Sequence, residues 1–329
     1  MAIALRILLT GIIAVLILPS FWNLASAWVF NADLREASNF SPVGVIEFSL
    51  PEGRSTGTAF LIGECIVMTN FHVAFGPWYL TALRPPSNAN RGTFTLTQVT
   101  LPNGGHPSTG AIPVIWGDYT GPARQILQPA NDWVVLALEE CLGTRHGYLL
   151  PYDATLNDDV PDQGGFAAVG YSSGRQMVDA NCSIRLGGSG TGATMLNDCV
   201  ALSGDSGAPI IRRGTNRVVA MVSGFRAGIG SHSCSSFKGV VSEPWSSYCT
   251  NAAVPFSLLL NDRIEAARYA ILTQNLFLLL GIDAGPYGVI DQPMFAKAIK
   301  QVQLESGMVQ SGEVSSNLIK VLKMRLLGI

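Results

Sequence analysis

Between residue 42 and about residue 255, apolar and β-branched residues come in short runs. The runs are Val43 to Leu50, Thr58 to Ile62, Ile66 to Thr69, Phe94 to Leu101, Trp133 to Leu138, Val218 to Val222 and Gly239 to Ser242. Turn-forming clusters separate them: Pro51-Glu52-Gly53, Pro102-Asn103-Gly104-Gly105, Gly187 to Gly192 and Arg213-Gly214-Thr215-Asn216. Many short strands with turn signals at close intervals predict an all-β sandwich or barrel. Long helices do not alternate with these strands, which argues against a parallel α/β sheet.

After Pro255 the periodicity becomes helical. Arg263 to Leu280 reads as a helix, amphipathic at first and stopped by Gly281. Pro293 suits the first turn of a second helix that runs to Ser306, before Gly307. Ser315 or Ser316 can cap a third helix that carries the chain to Leu327. Residues 256–329 are therefore expected to form a small three-helix domain, close to the lower size limit for folding alone. Lysine usage shifts at the same place: the first lysine is Lys238, and the other four follow the boundary.

The N-terminus has a third texture. Arg6 precedes an apolar run from Ile7 to Leu18, Pro19 breaks it, and Ala25-Ser26-Ala27 is a small-x-small cleavage site. Residues 1–27 thus read as an export signal, and residues 28–41 as an arm or short leader. A spanning helix wants about 20 apolar residues, more than this run offers, so no stable membrane span is expected after cleavage. The expected location is secreted, periplasmic or in the cell envelope.

Composition narrows the function classes. Of 329 residues, 48% are hydrophobic and 13% charged, with a net charge of -2. That balance gives no basis for nucleic acid as a partner. The chain has 6 cysteines, all between Cys65 and Cys249. In an oxidising compartment they read as disulfides, and sequence does not choose among the possible pairings. Proximity favours Cys182–Cys199 and Cys234–Cys249, leaving Cys65–Cys141. No pair has CxxC spacing and the chain has only 4 histidines, so no metal site is expected.

Three short contexts carry candidate chemistry. Ser203-Gly204-Asp205-Ser206-Gly207-Ala208-Pro209 is a glycine-flanked turn. Such a turn can expose a serine hydroxyl, and Gly204 and Ser206 are placed to aim two backbone N–H groups at an oxyanion. Ile66-Val67-Met68-Thr69-Asn70-Phe71-His72-Val73 puts His72 at the end of an apolar strand, where its ring can reach a cleft and move protons near neutral pH. Asn131-Asp132-Trp133-Val134-Val135-Leu136-Ala137-Leu138 puts a carboxylate just before a buried strand, where it could orient the His72 ring. Taken singly, each has an ordinary structural reading: a polar turn, a core histidine, a turn residue next to a strand.

Taken together, in the order His, Asp, Ser, these contexts resemble the trypsin/chymotrypsin-like serine proteases, especially the secreted bacterial ones. Subtilisin-like enzymes run Asp, His, Ser, and α/β-hydrolases run Ser, Asp, His with a Gly-x-Ser-x-Gly elbow that is not met here. The resemblance spans roughly residues 42–255. It implies two packed β-barrels, an all-β double barrel of the chymotrypsin-like kind, with His72, Asp132 and Ser206 between them. It implies a protein or peptide substrate and no cofactor. The position that selects Arg or Lys in this family matches Val200, followed by Ala201, so an apolar or small preference is expected instead. Val222-Ser223-Gly224 resembles the strand that lines the pocket and pairs with substrate backbone. Two departures stand out. Asn70-Phe71 and Val73 flank the histidine in place of the alanines and cysteine of animal members. No activation site is evident that would free an N-terminus to pair with Asp205.

The C-terminal helices have their own resemblance, carried by Leu280-Gly281-Ile282-Asp283-Ala284-Gly285-Pro286-Tyr287-Gly288, Ala298 to Gln303, Ser306-Gly307-Met308 and Ser311-Gly312-Glu313-Val314. They resemble the three-helix peptidoglycan-binding domain, which usually carries a Gly-Pro-x-Asp-Gly loop. Here Tyr287 replaces that Asp, and Asp291 stands where a second Gly is common. The resemblance implies peptidoglycan as a partner. The expectation for the whole chain is a secreted serine endopeptidase, the alternative a catalytically silent protease-like binding protein of the envelope.

Overall fold

The computed structural model describes residues 40–76, 89–117, 131–151, 165–172, 175–186, 195–197, 199, 203–225, 251–255 and 262–329. The expected signal at 1–27, residues 28–39 of the arm expected at 28–41, the strand expected at Gly239 to Ser242, the turn Gly187 to Gly192 and the pair Cys234–Cys249 lie outside them.

Six strands close into an antiparallel barrel: β1 (Val43–Leu50), β2 (Gly53–Leu61), β3 (Ile66–Thr69), β4 (Gly92–Thr95), β5 (Ser108–Trp116) and β6 (Val134–Leu138). Their order is β1-β2-β3-β6-β5-β4, and β1 pairs with β4 to complete the ring. Alternate residues of one strand serve two different cores. Val67 of β3, and Val134, Leu136 and Leu138 of β6, point into the barrel with Ile46, Phe48 and Phe94. Ile66, Met68, Val135 and Ala137 point outwards, into a second core shared with the rest of the molecule. Burial on both faces explains why these strands read as unbroken apolar runs. Where the sequence suggested a strand from Phe94 to Leu101, the strand is Gly92–Thr95, and beyond it the chain turns back on itself. The Leu96 N–H donates to Pro107 O at 2.9 Å and the Val99 N–H to Leu96 O at 3.2 Å.

The second sheet has eight strands: β7 (Leu150–Pro151), β8 (Phe166–Ser172), β9 (Arg175–Cys182), β10 (Ile184–Leu186), β11 (Met195–Asn197), β12 (Pro209–Arg212), β13 (Arg217–Phe225) and β14 (Asn251–Pro255). The order is β10-β11-β14-β13-β12-β8-β9, with β7 added to β13 in parallel. Its two edge strands, β9 and β10, are separated by Ser183 alone. The chain thus passes directly from one edge of this sheet to the other. The all-β double-barrel architecture is therefore present, with three helices after it. Two disulfides are formed, Cys65–Cys141 and Cys182–Cys199, the two pairs expected within the described residues.

Two one-turn helices, α1 (Phe71–Phe75) and α2 (Leu142–His146), leave the first barrel, and α3 (Asp262–Leu279), α4 (Pro293–Glu305) and α5 (Ser316–Leu327) follow the second. The Ser315 hydroxyl accepts the Leu318 N–H at 3.2 Å and so starts α5 as a capping serine should. The three helices pack around Phe277, Phe295, Ile299, Val302 and Leu322. They are also welded to the first barrel. Ile264 and Ile271 of α3 lie in the same core as Cys65, Ile66 and Ala137. Tyr287 Oη donates to Leu138 O at 2.7 Å, Lys323 Nζ pairs with Glu64 at 2.8 Å, and the Arg268 guanidinium sits 5.6 Å from the Tyr148 ring centroid. Burial raises the Tyr287 phenol above its usual range, so the hydroxyl stays protonated and remains a donor.

This shared core predicts cooperative unfolding. Ile271 is fully buried. Ile271→Ala should cost about 2–5 kcal/mol, read by urea denaturation, and should shift the helical far-ultraviolet signal and the barrel's tryptophan fluorescence together. Two separated transitions would mean that the helices and barrel fold independently.

Candidate active site

The His72 side chain is placed by the end of β3. After Thr69 the chain does not continue as a strand: Asn70 turns it into α1, and His72 is the second residue of that helix. A helix start leaves N–H groups without partners. The Asn70 side chain does not cap this one. Asp132, two residues before β6, does so from the neighbouring strand, its Oδ1 accepting the His72 backbone N–H at 3.1 Å. Asn70 Nδ2 in turn donates to the Asp132 carbonyl at 2.8 Å. β3 and β6 are neighbours in register, Thr69 opposite Val134, so the two segments leave the barrel side by side.

The same carboxylate holds the ring. His72 Nδ1 lies 2.8 Å from Asp132 Oδ2 and 3.1 Å from Oδ1. Ser223 of β13 donates its hydroxyl to Oδ2 at 2.6 Å. A carboxylate accepts and does not donate, so Nδ1 must carry the proton and Nε2 is left as the acceptor. The Asp132 side chain is 6% exposed and that of His72 35%, so the acid is enclosed while the ring keeps an open edge. Burial pushes the His72 pKa down, but the charge of Asp132 and its hydrogen bond outweigh this, and the net effect is a pKa raised above 6.5.

The serine turn docks between the barrels. Gly204 and Gly207 have φ of 101° and 87°, which suits glycine alone. A Cβ on Gly207 would lie 2.1 Å from Thr58 O and 2.4 Å from Thr69 Oγ1. The Gly207 N–H donates to Val222 O, and the Val222 N–H to Ala208 O. The Thr58 N–H of β2 donates to Ser206 O at 2.8 Å. Gly57 is in the same place: a Cβ there would meet Ser206 O at 2.9 Å and Val73 Cγ2 at 2.8 Å. The Ser206 backbone and the residue after His72 thus press against one glycine. Among the described residues, no acceptor takes the N–H of Gly204 or of Ser206, and no hydrogen bond yet joins Ser206 Oγ to His72. Such contacts often tighten only when substrate is bound.

The remaining expected residues divide. The Val222 side chain lies in the core of the second sheet with Ala208 and Ala220, and both of its backbone polar groups hold the serine turn. The Ser223 hydroxyl reaches Asp132. Gly224 follows on β13, where the pairing with β14 shifts register between Val222 and Gly224. Val200 and Ala201 lie outside the described residues. Sequence reasoning missed Thr58 and Asn70, polar residues that are fully buried. The signal was present in part: Thr58 stands between Gly57 and Ala59, where a polar side chain inside an apolar run needs a buried partner.

A serine on a tight turn, a histidine oriented by a buried acid, and two N–H groups beside the serine that no acceptor takes among the described residues are residue types that acyl transfer can use. No protein-family model matches the chain, and no curated protein matches it by sequence. Solved structures with a similar fold include the active form of the Rv3671c protease from M. tuberculosis, 18% identical, covering 70% of this chain and 83% of that one at a TM-score of 0.44. A Glu endopeptidase is 16% identical, covering 70% and 91%, with a TM-score of 0.44. The protease Anisep from Arthrobacter nicotinovorans is 14% identical, covering 66% and 90%, with a TM-score of 0.44.

Proposed function

We propose that this chain is an exported serine endopeptidase that cleaves peptide bonds by acyl transfer. The observation that supports it best is the orientation of His72: Asp132, satisfied by three donors, fixes the ring with Nε2 free to accept a proton. Ser206 Oγ attacks the scissile carbonyl carbon while His72 Nε2 takes its proton. The oxyanion forms against the N–H groups of Gly204 and Ser206. His72 then gives the proton to the departing amine. Water repeats the sequence on the acyl-enzyme, losing its proton to His72, and Ser206 is released with a new carboxyl product. The reaction needs no metal or organic cofactor.

Export and a place in the cell envelope rest on residues 1–27 and on the disulfides Cys65–Cys141 and Cys182–Cys199, which suit an oxidising compartment. Among the described residues no helix is long and apolar enough to cross a membrane. Peptidoglycan binding by the C-terminal helices is the less supported part. Tyr287, at the key loop position, is committed to Leu138 O on the barrel, which ties that loop down. The helices are better supported as a cover for the outer face of β3 and β6.

A fluorophosphonate probe tests the reading. The wild type should gain one adduct mapped to Ser206 by peptide mass, Ser206→Ala should gain none, and only the wild type should degrade unfolded casein. Absence of both label and cleavage would favour the protease-like binding protein.

A further inference from the structure

Thr58 uses every polar atom it has on the serine turn and its supports. Its N–H donates to Ser206 O at 2.8 Å, and its hydroxyl donates to Gly204 O at 2.9 Å. The same hydroxyl accepts the Tyr171 N–H of β8 at 2.9 Å, and the Thr58 carbonyl accepts from Thr69 Oγ1 at 2.7 Å. The residue is fully buried. One side chain on the first barrel therefore ties the turn to a strand of the second.

The carbonyls of the turn are all claimed. Gly204 O goes to the Thr58 hydroxyl, Asp205 O to the Ala208 N–H at 2.8 Å, and Ser206 O to the Thr58 N–H. In a trans peptide the N–H points opposite to the C=O, so anchoring a carbonyl on one side aims the adjoining amide to the other. The Gly204 carbonyl belongs to the peptide that lies between the two unclaimed N–H groups. Gly204 has no Cβ and a φ of 101°, so little in its own chain resists rotation of that peptide. The ψ of Gly204 and the φ of Asp205 lie between the two unclaimed N–H groups, and the bond from Thr58 holds the peptide that joins these torsions; rotation about either one that the other does not compensate would turn one N–H away from the other and spoil their convergence.

We propose that Thr58 is a positioning residue: its hydroxyl locks the Gly204 carbonyl so that the N–H groups of Gly204 and Ser206 converge on the developing oxyanion. This rests on the endopeptidase reading. Valine has nearly the shape of threonine but leaves Gly204 O and the Tyr171 N–H without their buried partner. Interactions that strengthen only as the oxyanion forms act on kcat and leave ground-state binding alone.

The test compares Thr58→Val and Thr58→Ser with the wild type on a peptide substrate and a matching peptide aldehyde, whose adduct with Ser206 places an oxygen where the oxyanion forms. Thr58→Val should lower kcat about 10²-fold with KM nearly unchanged, and aldehyde affinity should fall by a similar factor. The pH midpoint set by His72 should not move, because its partner is Asp132. Thr58→Ser restores the hydroxyl and should recover kcat to within about threefold of the wild type. A Thr58→Val enzyme with near-normal kcat, a loss confined to KM, a shifted pH midpoint, or a serine variant as poor as the valine one would each overturn the proposal. If Thr58→Val does not fold, Thr58→Ala against Thr58→Ser asks the same question of the hydroxyl. A wild type without Ser206-dependent cleavage overturns the endopeptidase reading and this one with it. An active wild type indifferent to Thr58→Val overturns this one alone.

Discussion

Ser206→Ala should lower kcat for a peptide substrate by about 10⁶-fold, and adding His72→Ala to it should cost almost nothing more. Nucleophile and base act as one device: once the hydroxyl is gone, the ring has no proton to take. The loss should appear in kcat with KM almost untouched, since no part of the surrounding turn depends on the hydroxyl. The Ser206 carbonyl stays on Thr58 and Gly207 stays on Val222. The hydroxyl itself makes no hydrogen bond among the described residues, so its removal should change stability by no more than about 0.5 kcal/mol, checked by thermal melting. Two single-variant losses that multiply in the double variant would mean that Ser206 and His72 act independently, and the acyl-transfer reading would fall.

Much of this site was legible before any fold was known, because its residues sit in local contexts with local reasons. Ser206 needs a turn that only glycines permit, and Gly204 and Gly207 flank it. Asp132 stands at the last polar position before the apolar run of β6. His72 is legible as a residue beyond β3, although nothing in its local context marks α1. The partners that complete the site were not legible. Ser223 lies 91 residues from Asp132, and Thr58 lies 146 residues from Gly204. Nothing in a short polar residue says which distant group it will meet.

The fold divides the same way. Capping and stop signals marked all three helices to within a residue, since Pro293, Ser315 and Gly281 act on their own backbone. Their docking depends on Ile264, Ile271 and Tyr287 finding β3 and β6, which no periodicity encodes. Strand β5 is hidden in the sequence because Pro113 and Gly110 interrupt it, and proline is normally excluded from a strand paired on both sides. The structure accommodates it with a register shift between Pro113 and Ile115 against β6. In β9, Arg175, Gln176, Asp179 and Asn181 hide the alternation.

Asp132→Asn should cost about 10⁴-fold in kcat and move the pH dependence of what remains. Oδ2 now accepts from both His72 Nδ1 and the Ser223 hydroxyl, while Oδ1 takes the His72 backbone N–H. An amide offers one oxygen and one NH₂ in place of two acceptors. If the NH₂ faces the ring, Nδ1 must accept, the ring proton moves to Nε2, and Nε2 can no longer take the proton of Ser206. The direction of the pH shift follows from the causes that set the His72 pKa. Burial lowers it, and the charge and hydrogen bond of Asp132 raise it past 6.5. Catalysis needs the neutral ring, so wild-type activity is lost as pH falls through a midpoint above 6.5. In Asp132→Asn the raising causes are gone and burial remains, so the surviving activity should titrate with a midpoint below 6.5. Profiles of kcat/KM from pH 5 to 9 would decide it, with Asp132→Ala as a partner that removes the carboxylate without supplying a wrong donor. A large loss in both variants with an unmoved midpoint would show that Asp132 serves α1 as a cap and does not set the state of the ring.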